Sequence, residues 1–289
     1  MKDTLSRYYF PELGVRAALA RLDHSYARMA ERGDYTPQTA IWLGEFAAAA
    51  ALFTSGIHLD GRLSLQLQSP GTMKLLYAEC TSQGDLRGLA RCEPPVSESL
   101  GQAVADGRLA ITIEPEGAPR YQGIVGLEGE RLSDYFEGYF AQSEQIPTRL
   151  LLSCDGKRAV GLMLQRVASG GGNAPVDPDG WNRLGFLANT LQPSELLELD
   201  AETLFAKVFP GEVLQDLGTQ ALRFSCRCSR DKVASMLRSL GRDEALLSVQ
   251  SDAHAEITCE FCNAQYRFDI VDIEQLFFDS AQAPSGRLQ

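Results

Sequence analysis

The run Glu45-Phe46-Ala47-Ala48-Ala49-Ala50-Ala51-Leu52-Phe53 carries no polar residue after its first position. A helix that is apolar on every side must be covered on every side. After the break at Thr36-Pro37, the stretch Gln38 to Gly56 therefore predicts a helix inside a domain, lying between layers of sheet. Alanine there lets neighbouring backbones approach closely. Downstream the pattern changes to a period of two. Leu63, Leu65 and Leu67 alternate with polar residues from Gly61 to Gln68, as in a half-buried strand; Ser69-Pro70-Gly71 turns the chain, and Met73 to Cys80 predicts the partner strand. Leu109, Ile111 and Ile113 repeat the alternation, and Tyr121 to Leu127, Arg149 to Leu152 and Ala159 to Gln165 read as further strands. Between them Ser133 to Phe140 has helical spacing with Ser133 as its N-cap. Its aromatic residues Tyr135, Phe136, Tyr139 and Phe140 fit a core that pins the helix to the sheet, the alternative being an apolar docking surface.

The segment Ser169-Gly170-Gly171-Gly172-Asn173-Ala174-Pro175, continuing to Pro178, interrupts these patterns as a linker does. Beyond it Leu184, Leu187 and Leu191, then Leu196, Leu197 and Leu199 after the Pro193-Ser194 start, carry helical spacing. From 191 to 220 the acids Glu195, Glu198, Asp200, Glu202, Glu212 and Asp216 outnumber the lone base Lys207. Amphipathic acidic helices of this kind need a surface to rest on, which makes the segment a candidate for conditional unfolding or simply a helical connector. After a short strand at Leu222-Arg223-Phe224, Ser229-Arg230-Asp231 opens a helix that Leu240-Gly241 closes, and residues 242 to 250 form a second one. Ile257 to Phe268 predicts a hairpin with Asn263 in a left-handed position, and Asp272 caps a final helix. The expected class is α+β: a layered N-terminal mixed α/β domain with a buried helix (1–175), a helical linker (176–220) and a small C-terminal zinc-binding α+β domain (221–289).

The candidate chemistry lies in that last domain. Cys226 and Cys228 form Cys-x-Cys, thirty residues follow, and Cys259 and Cys262 form Cys-x-x-Cys. Four thiolates in two close pairs suit one tetrahedral zinc ion, each pair clamping one edge of the tetrahedron. The single spacer Arg227 also leaves Cys226 and Cys228 poised for a short, strained disulfide ring, the property of labile rather than permanent disulfides. A domain of about 60 residues has little core, so metal binding would supply much of its stability and ligand oxidation would remove it. Cys80, Cys92 and Cys154 sit in or beside predicted strands and read as small core residues. Of the scattered histidines His24, His58 and His254, the last lies near the second pair, but four cysteines already complete a structural site.

Composition narrows the setting. With 289 residues and a net charge of −11, the chain can build a large core but lacks the concentrated Lys and Arg that nucleic-acid binding requires. No run of eighteen apolar residues predicts a membrane span, and Met1-Lys2-Asp3-Thr4 lacks the apolar core of a secretory signal, which points to the cytoplasm. Gly123 to Gly129 lacks dinucleotide-binding spacing, and neither a Walker loop nor a Gly-x-Ser-x-Gly elbow is present. No catalytic residue and no nucleotide site is expected; the chain does not read as an enzyme. A zinc-ribbon interaction or regulatory protein with purely structural zinc is one alternative. A thiol–disulfide oxidoreductase using Cys226 and Cys228 is another.

With these residues in place, the chain resembles the bacterial redox-regulated heat-shock chaperone (holdase) family of about 33 kDa. The resemblance covers nearly the whole length. It rests on the two cysteine pairs and their spacing, on Asp134 to Arg149 with its Ser143-Glu144-Gln145-Ile146-Pro147-Thr148 ending, and on Leu43-Gly44-Glu45 followed by the apolar helix and Leu65-Gln66-Leu67-Gln68. Asn263 departs from it, standing where a glycine is common. The resemblance implies ATP-independent binding of unfolding proteins, one zinc ion in the reduced form and a homodimer on activation. It also implies oxidation to Cys226–Cys228 and Cys259–Cys262 disulfides with loss of zinc.

Overall fold

The computed structural model describes residues 3–56, 60–167, 177, 179–249 and 254–281; the glycine-rich segment read as a linker lies almost wholly outside them. The chain divides into two compact units, Met1–Ser225 and Cys226–Gln289.

The first unit begins with strands β1 (Thr4–Phe10) and β2 (Val15–Leu22) and helices α1 (His24–Ala30) and α2 (Pro37–Thr54). Strands β3 (Gly61–Gln68), β4 (Met73–Thr81) and β5 (Asp85–Cys92), helix α3 (Leu100–Ala103), and strands β6 (Arg108–Pro115) and β7 (Tyr121–Gly126) follow. Then come α4 (Leu132–Tyr139), β8 (Thr148–Cys154) and β9 (Ala159–Arg166). Three short helices, α5 (Gly180–Ala188), α6 (Pro193–Glu198) and α7 (Ala201–Val208), and strands β10 (Gln215–Ala221) and β11 (Arg223–Phe224) complete it. One sheet runs β10-β1-β2-β9-β8, the other β11-β5-β4-β3-β6-β7.

Helix α2 is the middle layer, packed against β2, β8 and β9 on one side and β3, β4 and β5 on the other. The Thr36 hydroxyl accepts from the Thr39 amide at 3.2 Å, and Pro37 occupies the first turn, where its missing N–H costs nothing. Ala47 through Ala51 are fully buried, so small side chains set how closely the two sheets approach. Gly44 shows the tolerance: a Cβ there would meet Cys154 Sγ at 2.6 Å and the Tyr26 ring at 2.7 Å. The aromatic residues of α4 are core: Phe136 stacks within 5.6 Å of Phe46 and 5.0 Å of Phe53, and Tyr135 and Tyr139 are buried. The predicted cap moves, however. Helix α4 starts at Leu132, and Asp134 reaches back to the Glu130 and Arg131 amides at 3.2 and 3.1 Å, so the carboxylate in the first turn does the capping that Ser133 was expected to do.

The five-stranded sheet is apolar on both faces. Leu5, Ala18, Ala20 and Leu22 face the α2 side, whereas Phe10, Val15, Ala17, Leu19, Val160, Leu162 and Leu164 form a second core with α5–α7. From the helices and the residues that follow them come Leu184, Leu191, Leu196, Leu197, Leu204, Phe205, Val208 and Phe209. Helical structure stops before the end of the acidic segment. Gln215–Ala221 instead pairs antiparallel with β1, from Tyr9↔Gln215 to Thr4↔Ala221, because the β1 edge offers unpaired backbone groups.

The second unit holds α8 (Arg230–Leu240), α9 (Arg242–Leu247), the hairpin β12 (His254–Thr258) and β13 (Gln265–Asp269), and α10 (Ile270–Ala281). Among the described residues its core is Val233, Ala234, Leu237, Ala245, Ala255, Phe268 and Ile273. Ser229 caps α8, accepting from the Lys232 amide at 3.2 Å. Helix α10 is capped by Asp269 rather than Asp272: the Asp272 amide donates to Asp269 Oδ1 at 2.7 Å, while the Asp272 carboxylate receives the Asp269 amide at 3.1 Å. Asp272 also anchors Arg230, whose guanidinium lies 4.1 Å over the Phe268 ring.

Candidate metal centre

Two loops of the second unit deliver the four predicted thiols. Cys226 and Cys228 lie on the irregular segment before α8; Cys259 and Cys262 flank the bend between β12 and β13. That bend is fixed by backbone hydrogen bonds. The Cys259 amide donates to the Ala264 carbonyl at 2.9 Å, and the Asn263 amide donates to the Cys259 carbonyl at 2.7 Å. Asn263 takes the left-handed conformation, φ 54°, that its position demands.

The four sulfurs all lie within 4.8 Å of one another. Cys226 Sγ is 3.7 Å from Cys259 Sγ, and Cys228 Sγ is 3.3 Å from Cys262 Sγ, so contacts run across the two loops. Tetrahedral zinc with Zn–S bonds of about 2.3 Å places its sulfurs about 3.8 Å apart, and the observed cluster matches that size and ligand chemistry. Backbone amides of Phe261 and Cys262 serve the Cys259 sulfur, and that of Ala264 serves Cys262. Cys228 has a side-chain donor: the Tyr266 hydroxyl stands 3.0 Å from its sulfur. Burial works against the Cys228 thiolate, but hydrogen bonds from Tyr266 and the neighbouring thiols outweigh it and draw the group down to about 7. Cys262 goes the other way, to about 12, pushed chiefly by burial. Binding a divalent cation overrides both tendencies, because coordination deprotonates the thiols outright. Tyr266 escaped the sequence reading; its signal was an aromatic residue four positions after Cys262, in phase with Phe268 on the same strand.

The remaining cysteines stand apart, in the first unit. Cys80 is in the core, its thiol raised to about 12 by burial, and Cys154, beside Tyr26, is raised to about 11 by the same cause. Cys92 approaches Thr39 Oγ1 at 3.7 Å. His254 is outside the thiol cluster, with its Nε2 3.9 Å from Glu256. Gly123 belongs to β7, where a Cβ would strike the Tyr139 ring at 2.7 Å, so the glycine there answers a packing need. Among the described residues no helix is long and apolar enough to cross a membrane.

Fold and site together define a class: a layered α/β unit with a helix-covered sheet, joined to a small module built around four metal-competent thiols. The chain belongs to the Hsp33 family, whose model matches residues 3–269. It is 42% identical to the 33 kDa chaperonin of Pseudomonas fluorescens (strain SBW25), over 95% of this chain and 93% of that protein. To the 33 kDa chaperonin of Azotobacter vinelandii it is 42% identical, over 98% of each. The crystal structure of the 33 kDa chaperonin of Thermotoga maritima shares the fold, with a TM-score of 0.84 at 21% identity, covering 98% of this chain and 100% of that one.

Proposed function

We propose that the chain is a redox-regulated, ATP-independent holdase chaperone that binds unfolding proteins under oxidative stress in the bacterial cytoplasm. The observation that carries this reading is the second apolar face of the five-stranded sheet, covered among the described residues by three short helices. Tyr8 meets Phe205 at 4.5 Å between ring centroids, Phe10 meets Phe209 at 5.4 Å, and Arg21 and Arg158 donate to the Leu197 carbonyl at 3.4 and 3.5 Å. Helices of nine, six and eight residues have little stability away from that face. In this reading residues 1–175 are the chaperone core and dimerisation domain, 176–220 a metastable linker and 221–289 the redox switch.

Bound zinc would hold four thiolates deprotonated and cross-link the two loops of a unit whose core, among the described residues, is seven side chains. Cys226, Cys228, Cys259 and Cys262 would be its ligands. Hydrogen peroxide oxidises two thiolates to one disulfide and is itself reduced to two hydroxide ions. Two such events, giving Cys226–Cys228 and Cys259–Cys262, consume all four ligands. The C-terminal unit then loses its cross-link and unfolds. The chain before it loosens, α5–α7 leave the sheet, and apolar surface becomes available to clients and to a second activated copy. No nucleotide takes part, and nothing in the cycle is enzymatic turnover. Names of the relatives, the thiol cluster and the thin helical cover all support this reading.

The test is to treat the reduced, zinc-loaded protein with peroxide and mild heat, then measure released zinc and suppression of client aggregation. Release with gained suppression is expected. Retained zinc, or zinc lost with no gain in suppression, overturns the reading.

A further inference from the structure

We propose that Tyr266 is a positioning residue of the thiol cluster: its hydroxyl donates to the Cys228 thiolate, lowers that sulfur's nucleophilicity and makes it the protected member of its pair. The geometry is specific. Tyr266 sits on β13 opposite Ile257, its ring packs against the unit's core beside Phe268, and its Oη reaches Cys228 Sγ at 3.0 Å across 38 residues of sequence. Donors to Cys259 and Cys262 include backbone amides fixed by the loop, which a side-chain truncation leaves in place. At Cys228 the hydroxyl of Tyr266 adds a side-chain oxygen donor to the hydrogen bonds among the thiols. Cys226, in contact with the Cys259 sulfur 3.7 Å away, provides the internal reference.

A hydrogen bond to a thiolate withdraws charge from the sulfur lone pair that attacks an electrophile, and groups one shell out from a metal tune both ligand basicity and affinity. Attack on the Cys-x-Cys pair therefore begins at Cys226, while Cys228 stays a ligand. The hydroxyl sets how readily the cluster responds to an oxidant through the sulfur it bonds. This inference rests on the reading that the four sulfurs are reactive metal ligands, and it adds the element that grades their reactivity.

The test is iodoacetamide labelling of the zinc-loaded full chain, limited to one adduct per molecule and resolved by peptide mass spectrometry. Each adduct forms a C–S bond at one thiolate as iodide leaves. In the wild type Cys226 should label faster than Cys228. In Tyr266→Phe, which keeps the ring, labelling of Cys228 relative to Cys226 should rise about tenfold, and zinc affinity against a competing chelator should fall by a similar factor. Equal labelling of Cys226 and Cys228 in the wild type overturns the proposal whether or not the variant folds. So does an unchanged ratio in Tyr266→Phe, or a uniform rise at all four sulfurs, which would mark general loosening. Peroxide-triggered aggregation suppression by the wild type is scored separately. Its absence beside a protected Cys228 would sink the holdase reading alone, and its presence with an unprotected Cys228 would sink only the role of Tyr266.

Discussion

Replacing Phe205 with alanine should open the α5–α7 layer in the fully reduced, zinc-loaded protein. The ring is 4% exposed and sits at the centre of an aromatic group, with centroids 4.5 Å from Tyr8, 5.9 Å from Phe209 and 6.3 Å from Phe10. Truncating a buried phenylalanine costs about 3–5 kcal/mol, which at about 1.4 kcal/mol per factor of ten multiplies the open population by a hundredfold or more. Nothing local offsets such a loss. Surface ion pairs such as Lys207–Glu195 are worth about 1 kcal/mol or less, and α7 is only eight residues long. Amide hydrogen exchange resolved over 180–209 is the direct assay, read alongside zinc content and aggregation suppression without oxidant. Exchange in that segment should accelerate by about two powers of ten while α2 stays protected and zinc is retained. Two results would refute the reasoning. Unchanged exchange would mean that the helices are not held by this core. Accelerated exchange with no gain in suppression would mean that the uncovered face is not the client surface.

Cys262→Ser should reduce bound zinc to well below one ion per chain and unfold the C-terminal unit, read by metal analysis and by loss of exchange protection in α8 and β13. Burial raises the Glu45 carboxyl to about 7, with Arg131 only partly countering it, so the folded state holds a proton that the unfolded state releases at lower pH. Stability of the first unit should therefore fall as pH rises from about 4.5 to 7 and level off above; Glu45→Gln should flatten that slope and add on the order of 3 kcal/mol at pH 8, measured by denaturant titration at several pH values. At Asn263, with φ 54°, a change to glycine should leave zinc affinity nearly unchanged. Asn263→Val should weaken it by the roughly 1–2 kcal/mol that a left-handed β-branched residue costs, a chelator competition separating the two.

Where a strand buries one face only, its alternation could be read directly: Leu63, Leu65 and Leu67 are buried and their intervening neighbours are not. The apolar helix was equally legible, because covering it on all sides requires two layers. Strands β1 and β2 were not legible, for a physical reason. Val15–Leu22 is buried on both faces except at Arg16, so its period of two disappears into a run of alanines and leucines. Strand β10 hid for the opposite reason, since it is almost entirely exposed and holds its place by backbone pairing with β1, which no side-chain pattern records. At the site, the four clustered thiols were legible from residue type and spacing alone. Tyr266 was not, because its role depends on a contact between residues 38 apart.

The two covers of the five-stranded sheet differ in what their removal would do. Helix α2 is eighteen residues long and touches both sheets, so lifting it would dissolve the core that joins them. The α5–α7 layer packs on one sheet only and turns the acids Glu198 and Glu202 to solvent. Lifting it would uncover Val15, Ala17, Leu19, Val160, Leu162 and Leu164 on strands whose other face remains bound to α2 and whose hydrogen bonds to one another remain closed. Such a sheet can present a flat apolar platform without unfolding. The net charge of −11 meanwhile opposes aggregation of the exposed state with its own copies. If the chain is the stress-activated holdase proposed above, it needs this asymmetry between a permanent cover and a removable one. On that proposal, a trigger confined to the four-thiol module, whose described core is small, would let the removable cover respond to oxidants while the permanent one does not.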